Sequence, residues 1–325
     1  MTSNETPENE APETLSIFLT DGVSSTARAT TRALVRAGHK VTAVVNTTDE
    51  ANRVRADGGL PISVDLLRDT EVRGMLKMAK ADVIVNLRAL HANSLPFKQP
   101  ALSAEALEAE TKALVDAAQG TEATLIIQPS FAYLYGNTNG ETVDESTSLP
   151  NDKTPIMAAG RAAEAAVKQS GIPYTILRAG YVYGGASTAM QNLIATLRSG
   201  KIPATGERDD NYANWLHSSD LASAIALTVE KQPQNEIINV AGVNPVTPST
   251  FLADLSDELG ISLDQAFGFI ARIFSLPTRP NPLLKLSTKV TSDKAKEILG
   301  WEPRYPTHVE GIEAMLIDMR AEMPF

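Results

Sequence analysis

Apolar and polar positions follow two rhythms along this chain. Short apolar runs end in turn residues, and the longer segments between them carry apolar residues at helical spacing. Residues 15–20 (LSIFLT) are apolar and are followed by Asp21-Gly22, which predicts a buried strand and its turn. Residues 25–37 read as a helix closed by Gly38 near its C-cap. The β-branched run 40–45 (KVTAVV) predicts a second strand, 49–56 a polar helix and 61–64 a third strand. A helix over 70–79 precedes a fourth strand at 82–87 (DVIVNL). An alanine-rich helix over 101–118 and a fifth strand at 124–128 (TLIIQ) follow. A helix over 155–169, a sixth strand at 174–178 (YTILR) and one more at 237–240 (IINV) complete the series. Strands alternating with helices in this way make βαβ units, so the class is α/β with a doubly wound parallel sheet. After residue 180 the pattern loosens. Helices at 189–197, 218–230 and 249–259 lie between irregular Pro-rich stretches, which predicts a small C-terminal lobe over the strand ends. Residues 277–282 (PTRPNP) read as a loop.

Composition narrows the picture. A length of 325 residues allows one large domain or two modest ones, at roughly 100–200 residues each. Lys and Arg number 29 against 39 Asp and Glu, a net charge of −10 that argues against broad binding to nucleic-acid phosphates. The chain has no cysteine, which excludes disulfides, zinc–thiolate sites, Fe–S clusters and thiol nucleophiles. A reducing cytoplasm suits that composition. No apolar run reaches a membrane span, and the N-terminus lacks the basic and apolar regions of a signal peptide. Residues 1–14 read as a disordered acidic tail.

A string of motifs then carries a resemblance. Residues 20–27 (TDGVSSTA) stand where a glycine-rich strand-to-helix turn would be. Gly38-His39-Lys40-Val41, Val64-Asp65-Leu66 and Leu134-Tyr135-Gly136 follow in order. Residues 172–178 (IPYTILR), Tyr183-Gly184, residues 216–221 (LHSSDL), Asn239-Val240-Ala241-Gly242 and residues 294–303 (KAKEILGWEP) complete the set. Together they resemble the extended short-chain dehydrogenase/reductase family, the NAD-dependent epimerases and dehydratases, over roughly residues 15–310. The resemblance implies a Rossmann-like NAD(P)-binding domain over 15–180. The part from 181 to 325 would add late Rossmann elements and a small substrate-type lobe.

The resemblance puts the three glycines of the phosphate turn at Asp21, Ser24 and Ala27, and leaves Gly22 as the only glycine of the turn. A dinucleotide needs close backbone approach at a helix N-terminus. Gly22, Ser24, Ser25 and Thr26 are the candidate phosphate contacts, and a carboxylate at Asp21 repels a pyrophosphate unless it points away. Asn46, at the end of the second strand, is the candidate ribose contact, with Arg28 and Arg53 as candidate phosphate partners. Asp65 and Leu66 resemble the family's adenine contacts. NAD and NADP are both open on these residues.

The resemblance also implies a Ser/Thr and a Tyr-x-x-x-Lys pair. The tyrosine moves a proton, the lysine lowers its pKa, and the hydroxyl holds the substrate oxygen. Here those positions fall on Phe131, with Ser130 one residue off, and on Ile156 and Gly160, or on Met157 and Arg161 after a one-residue shift; neither isoleucine nor methionine can give up a proton. Ser130, Tyr133, Tyr135 and Tyr181 are the weak substitutes, and Arg161 can supply charge but not act as a base. The arginine that the family places ahead of residues 216–221 falls on Ala213, leaving Arg208, Arg272 and Arg279 as alternatives. The four histidines show no metal-ligand spacing, so no metal is expected. One of them, His91, follows the fourth strand near the expected cleft. Small residues Ala158, Ala162 and Ala166 would allow a homodimer through the helix at 155–169. Three functions stay open. The first is an NAD(P)-binding protein without the Tyr–Lys relay, in a sensing or structural role that could involve a protein partner. The second is an active epimerase, dehydratase or reductase with relocated catalytic groups. The third is an interaction module that binds no nucleotide.

Overall fold

The computed structural model describes residues 14–92, 102–185, 187–203, 205, 210–261 and 282–322. The first half runs β1 (Ser16–Leu19), α1 (Ser25–Arg36), β2 (Lys40–Val44), α2 (Thr48–Ala56), β3 (Leu60–Ile62), α3 (Asp69–Ala79), β4 (Val83–Val85), α4 (Ala104–Ala118) and β5 (Leu125–Phe131). It continues through β6 (Thr142–Val143), α5 (Pro155–Lys168), β7 (Tyr174–Ala179), β8 (Tyr181–Tyr183), α6 (Thr188–Arg198), β9 (Trp215–His217), α7 (Ser218–Lys231) and β10 (Glu236–Val240). The chain then forms α8 (Pro248–Glu258), β11 (Lys289–Val290), α9 (Asp293–Leu299) and α10 (His308–Glu322).

Seven parallel strands make one sheet in the order β10-β7-β5-β4-β1-β2-β3. The order reverses direction at β1, so the strand ends of β1 and β4 flank a crevice of the kind that takes ligands in doubly wound sheets. Side chains alternate between the two faces. Ile17, Leu19, Val83, Val85 and Leu125 pack with Leu34 of α1 and Leu221 and Ile225 of α7. Phe18, Ile84 and Ile126 pack with Val72 and Leu76 of α3, Leu114 of α4 and Val167 of α5. This period of two explains why each strand reads as continuously apolar. Polar caps fix where the helices begin. Ser24, Ser103 and Thr247 each accept a backbone N–H in the first turn of α1, α4 and α8. Thr47 and Glu50 form a reciprocal capping box at α2.

Several boundaries move from the sequence expectation. β5 runs to Phe131, past the predicted stop at 128, because Pro129 and Ser130 mask a strand whose residues are all buried. The fourth strand ends at Val85, and Leu87–Ala92 wind into a 3₁₀ turn. The alanine-rich helix starts at Ala104, where Ser103 caps it. The second half holds two short parallel pairs, β8 with β9 and β6 with β11, that the pattern does not reveal. Strands of two or three residues carry no readable periodicity. The pattern does not separate out the helices α9 and α10 either. The tail through residue 13 and most of the loop at 277–282 lie outside the described residues. A third apolar cluster joins the lobe to the sheet. Trp215 of β9 stacks on Phe251 of α8 at 3.9 Å, and Ile312 and Met315 of α10 pack in the same cluster.

Candidate functional site

The turn after β1 is built around a buried acid. Asp21 accepts the N–H of Val23 at 3.0 Å and of Ser24 at 3.3 Å, and sits 3.1 Å from Nε2 of His91. Burial pushes its pKa up. The hydrogen bond and charge of His91, with the Ser24 and Val23 contacts, outweigh that and hold it below the usual carboxylate range. The acid is thus engaged within its own turn. Gly22 is required beside it, since a Cβ there would lie 2.7 Å from Val54 and 3.1 Å from Ala43. Ser24 caps α1 through Ala27 N–H at 3.2 Å. The N–H groups of Ser25 and Thr26, next along the helix, meet no acceptor among the described residues. These are the two donors that a helix N-terminus offers to an anion. Gly185, after β8, lies against the same turn, where a Cβ would come within 2.5 Å of Ser25.

A second network ties the neighbouring strand ends together. Thr20 Oγ1 donates to Asn86 Oδ1 at 3.0 Å and accepts Arg88 N–H at 2.9 Å. Asn86 donates to Gln128 at 2.9 Å and Thr111 at 3.3 Å. Arg88 pairs with Glu110 of α4 at 3.0 Å. Sequence reasoning places His91 near the cleft but does not link it to Asp21. The usable signal is the acid itself, because a carboxylate at a glycine position inside a buried turn demands a cationic partner.

At the ends of β2 and β3 the predicted contacts are open to solvent. Asn46 is exposed, and its N–H donates to Glu50 at 2.6 Å. Arg28 forms a fork on buried Asp57 at 2.8 and 3.2 Å, and Arg32 joins it at 3.0 Å. Arg28 is therefore held by an acid. Asp65 is exposed, accepts Leu67 N–H at 3.0 Å and lies 3.4 Å from Arg68, while Leu66 is half-buried. Gly22, Ser24, Ser25, Thr26, Asn46, Asp65 and Leu66 thus lie at the carboxyl ends of the adjacent strands β1, β2 and β3.

The positions where the resemblance puts the relay are packed with apolar groups. Phe131, Ile156 and the α5 residue Gly160 are all buried. A Cβ at 160 would meet Leu134 methyls at 2.9 and 3.2 Å and the Phe131 ring at 3.4 Å. Phe131, Tyr133 and Tyr181 form a stack with centroids 4.9 and 5.8 Å apart. The Tyr133 hydroxyl is buried without a partner among the described residues, and burial drives its pKa far up. Burial raises Tyr181 as well, and its hydroxyl reaches the Leu283 carbonyl at 3.4 Å. Tyr135 donates to Asn239 at 2.9 Å beneath the Arg178 guanidinium. Ser130 donates to Glu164 at 2.7 Å, and Glu164 takes a two-point contact from Arg178 at 2.9 and 2.8 Å.

In the second lobe, Ala213 is a buried bridge partner of Val246, and Arg208, Arg272 and Arg279 lie outside the described residues. His217 caps α7, and burial, with the charge of Arg304, lowers its pKa to about 4. Asp220 accepts the N–H groups of Arg304 and Tyr305 at 3.0 and 3.2 Å, an architectural role. Among the described residues no cluster of three metal-ligating side chains occurs, and no helix is long and apolar enough to cross a membrane.

A profile of the NAD dependent epimerase/dehydratase family matches residues 22–241. The chain belongs to that family. A 4-hydroxy-2-methyl-3-oxo-4-farnesyl-3,4-dihydroquinoline-1-oxide ketoreductase of Stigmatella aurantiaca is 27% identical over 334 residues, covering 92% of this chain and 95% of the relative. A 3-diazoavenalumate denitrifying reductase of a Streptomyces species is 25% identical over 294 residues, covering 86% and 93%. Among solved structures, the UDP-glucose 4-epimerase of Thermus thermophilus in complex with NAD superposes with a TM-score of 0.74 at 19% identity. It covers 94% of this chain and 99% of its own, which shows a shared fold.

Proposed function

We propose that this family member binds a nicotinamide dinucleotide through the turn at the start of α1 and works without a Tyr–Lys proton relay. The packing at Gly160 carries this reading. Leu134 and Phe131 fill the volume that a lysine side chain needs, and Ile156 has no proton to give. The diphosphate end of the site fits the cofactor better. Ser25 and Thr26 offer N–H groups that meet no acceptor among the described residues, and Asp21 is turned onto its own backbone and His91. A bound nicotinamide supplies hydride chemistry. The chain's own part is to hold the diphosphate at Ser24, Ser25 and Thr26, with Asn46 and Asp65 beside the ribose and adenine. The polar groups at Ser130, Tyr135, Glu164 and Arg178 serve the architecture on this reading. The cofactor preference goes to NAD over NADP, because Asp57 holds Arg28 and Glu50 places a carboxylate at the end of β2.

A second reading is a reductase that takes its proton from solvent. It draws support from the reductase names of the two relatives. Calorimetric titration with NAD, NADH, NADP and NADPH tests the first reading. Micromolar binding of the NAD pair, with no turnover of nucleotide sugars, is the expected result. No binding of any of the four would overturn it in favour of an interaction module. Consumption of reduced cofactor with a carbonyl acceptor would favour the second reading.

A further inference from the structure

We propose that His91 is a positioning residue of the dinucleotide turn, and that a dinucleotide binds there together with a proton on the His91 imidazole. This inference rests on the dinucleotide reading above and adds to it a residue from outside the phosphate turn.

Where the resemblance puts the first glycine of the turn, this chain holds a buried carboxylate, Asp21. Asp21 Oδ1 accepts Val23 N–H and Oδ2 accepts Ser24 N–H. The next two amides, those of Ser25 and Thr26, are the ones that meet no acceptor among the described residues. A diphosphate on those donors starts one amide away from the Asp21 contacts, and like charges that close repel. The site therefore needs a cation on Asp21. His91 supplies it, with Nε2 at 3.1 Å from Oδ2.

The same contacts fix where the proton goes. Asp21 is held below the usual carboxylate range, so at neutral pH it is ionised and only accepts. Nε2 of His91 therefore carries a hydrogen in both charge states of the ring, and the second proton goes on Nδ1. That nitrogen faces Nη1 of Arg88 at 3.5 Å, the outer limit of a hydrogen bond. Glu110 of α4 holds Arg88 in a two-point contact at 3.0 and 3.4 Å, which offsets the guanidinium charge. β1 and β5, which flank β4, contain no ionisable residue. Among the described residues the charged groups in contact with this cluster are thus Asp21, Arg88 and Glu110, and they leave one negative charge for an imidazolium to balance. The His91 side chain is 24% exposed and can exchange a proton with solvent, whereas Asp21 is 5% exposed.

An imidazole ordinarily changes charge between about pH 5 and 8. With the ring neutral, a diphosphate meets the Asp21 carboxylate uncompensated. With the ring charged, Asp21 is neutralised. A bound diphosphate in turn favours the charged ring, so binding tightens as pH falls through the range in which the imidazole titrates.

Calorimetric titration of the full chain with NAD, in Hepes and in Tris at about pH 7.5, counts the protons, because the two buffers release them with different heats. NAD is the probe because its diphosphate does not titrate in this range, whereas the 2′-phosphate of NADP does. Uptake of roughly half to one proton per NAD is expected, with affinity roughly ten-fold weaker at about pH 8.5 than at about pH 6. His91→Gln should abolish the uptake, weaken binding at the acid end and flatten the pH profile. His91→Lys, a fixed cation, should recover part of that affinity with no uptake. Nitrogen-15 NMR of the His91 ring in the unmodified chain should show Nδ1 gaining a hydrogen as NAD saturates, and it decides the matter if neither variant folds. NAD binding without proton uptake would overturn this inference and leave the dinucleotide reading standing. Uptake that persists in His91→Gln, or a ring whose charge is the same with and without NAD, would overturn it too. No NAD binding anywhere between about pH 6 and 8.5 would sink the dinucleotide reading, and this inference with it.

Discussion

Gly160→Ala is a direct probe of the packing where the relay lysine is expected, because two effects of opposite sign meet there. Replacing a mid-helix glycine with alanine gains roughly 1 kcal/mol of helix propensity. The new Cβ would come within 2.9 and 3.2 Å of the Leu134 methyls and 3.4 Å of Phe131. Overpacking of that kind costs about 1–3 kcal/mol in a well-packed core. Leu134 and Phe131 are both fully buried, so neither moves without disturbing its own neighbours. The net expectation is a loss of about 0–2 kcal/mol by urea denaturation at constant m-value. The sign reverses in a Leu134→Ala background. That substitution alone costs about 2–5 kcal/mol through its cavity. With the methyls gone, Gly160→Ala should stabilise the protein by up to roughly 1 kcal/mol. The double-mutant cycle reads the coupling between the two positions. If Gly160→Ala has the same effect in both backgrounds, or stabilises the unmodified chain, Leu134 does not fill the relay volume.

Three more outcomes follow from the buried charges. Asp21→Asn should cost about 2–4 kcal/mol, since it removes a buried charge and turns a donor toward Ser24 N–H or His91. The depressed Asp21 pKa contributes stability that is present above the unfolded value and lost below about pH 4, so the acid limb should flatten in the variant. Glu164→Gln should cost about 3–5 kcal/mol in chemical denaturation, because it strands the Arg178 guanidinium among buried groups. His217, with its pKa lowered from 6.5 to about 4, should stay neutral at pH 5 by NMR titration of its ring protons. Its contribution is full above pH 6.5 and falls by about 3 kcal/mol as pH drops towards 4. A protonated ring at pH 5 would show that it is not buried as described.

The sheet was legible because its strands are short apolar runs separated by helices of ordinary length, and the motif string fixed their order. What escaped was local. Residues 181–183 and 215–217 pair through backbone hydrogen bonds over three residues each, too few to leave a period. Pro129 and Ser130 hid the end of β5, although every residue of that strand is buried. The candidate site was legible by position and not by state. Counting from Gly38-His39 placed an acid in the phosphate turn. Only the fold supplies His91, 70 residues away in sequence, as its partner. Arg28 read as a cation available to a phosphate, and the fold commits it to Asp57, 29 residues on.

On the proposed reading, the same contacts couple the positions where the resemblance puts the relay. Phe131, Leu134, Ile156 and Gly160 pack as one unit, so the identity of each depends on the others. A phenylalanine at 131 and a leucine at 134 leave no space beside residue 160 for more than hydrogen. A lysine there would clash with Leu134 and carry its charge into apolar surroundings, where an unpaired ammonium is costly. A tyrosine at 156 would lack the neighbouring cation that lowers its pKa and makes it a useful acid. The Ser/Thr, Tyr and Lys of the relay therefore cannot return singly without a loss of stability. The α1 turn shares none of these contacts, and its Ser25 and Thr26 donors are independent of how α5 packs. On the proposed reading, dinucleotide binding and proton relay are physically separable in this fold, and this chain keeps the donors of the first without the groups of the second.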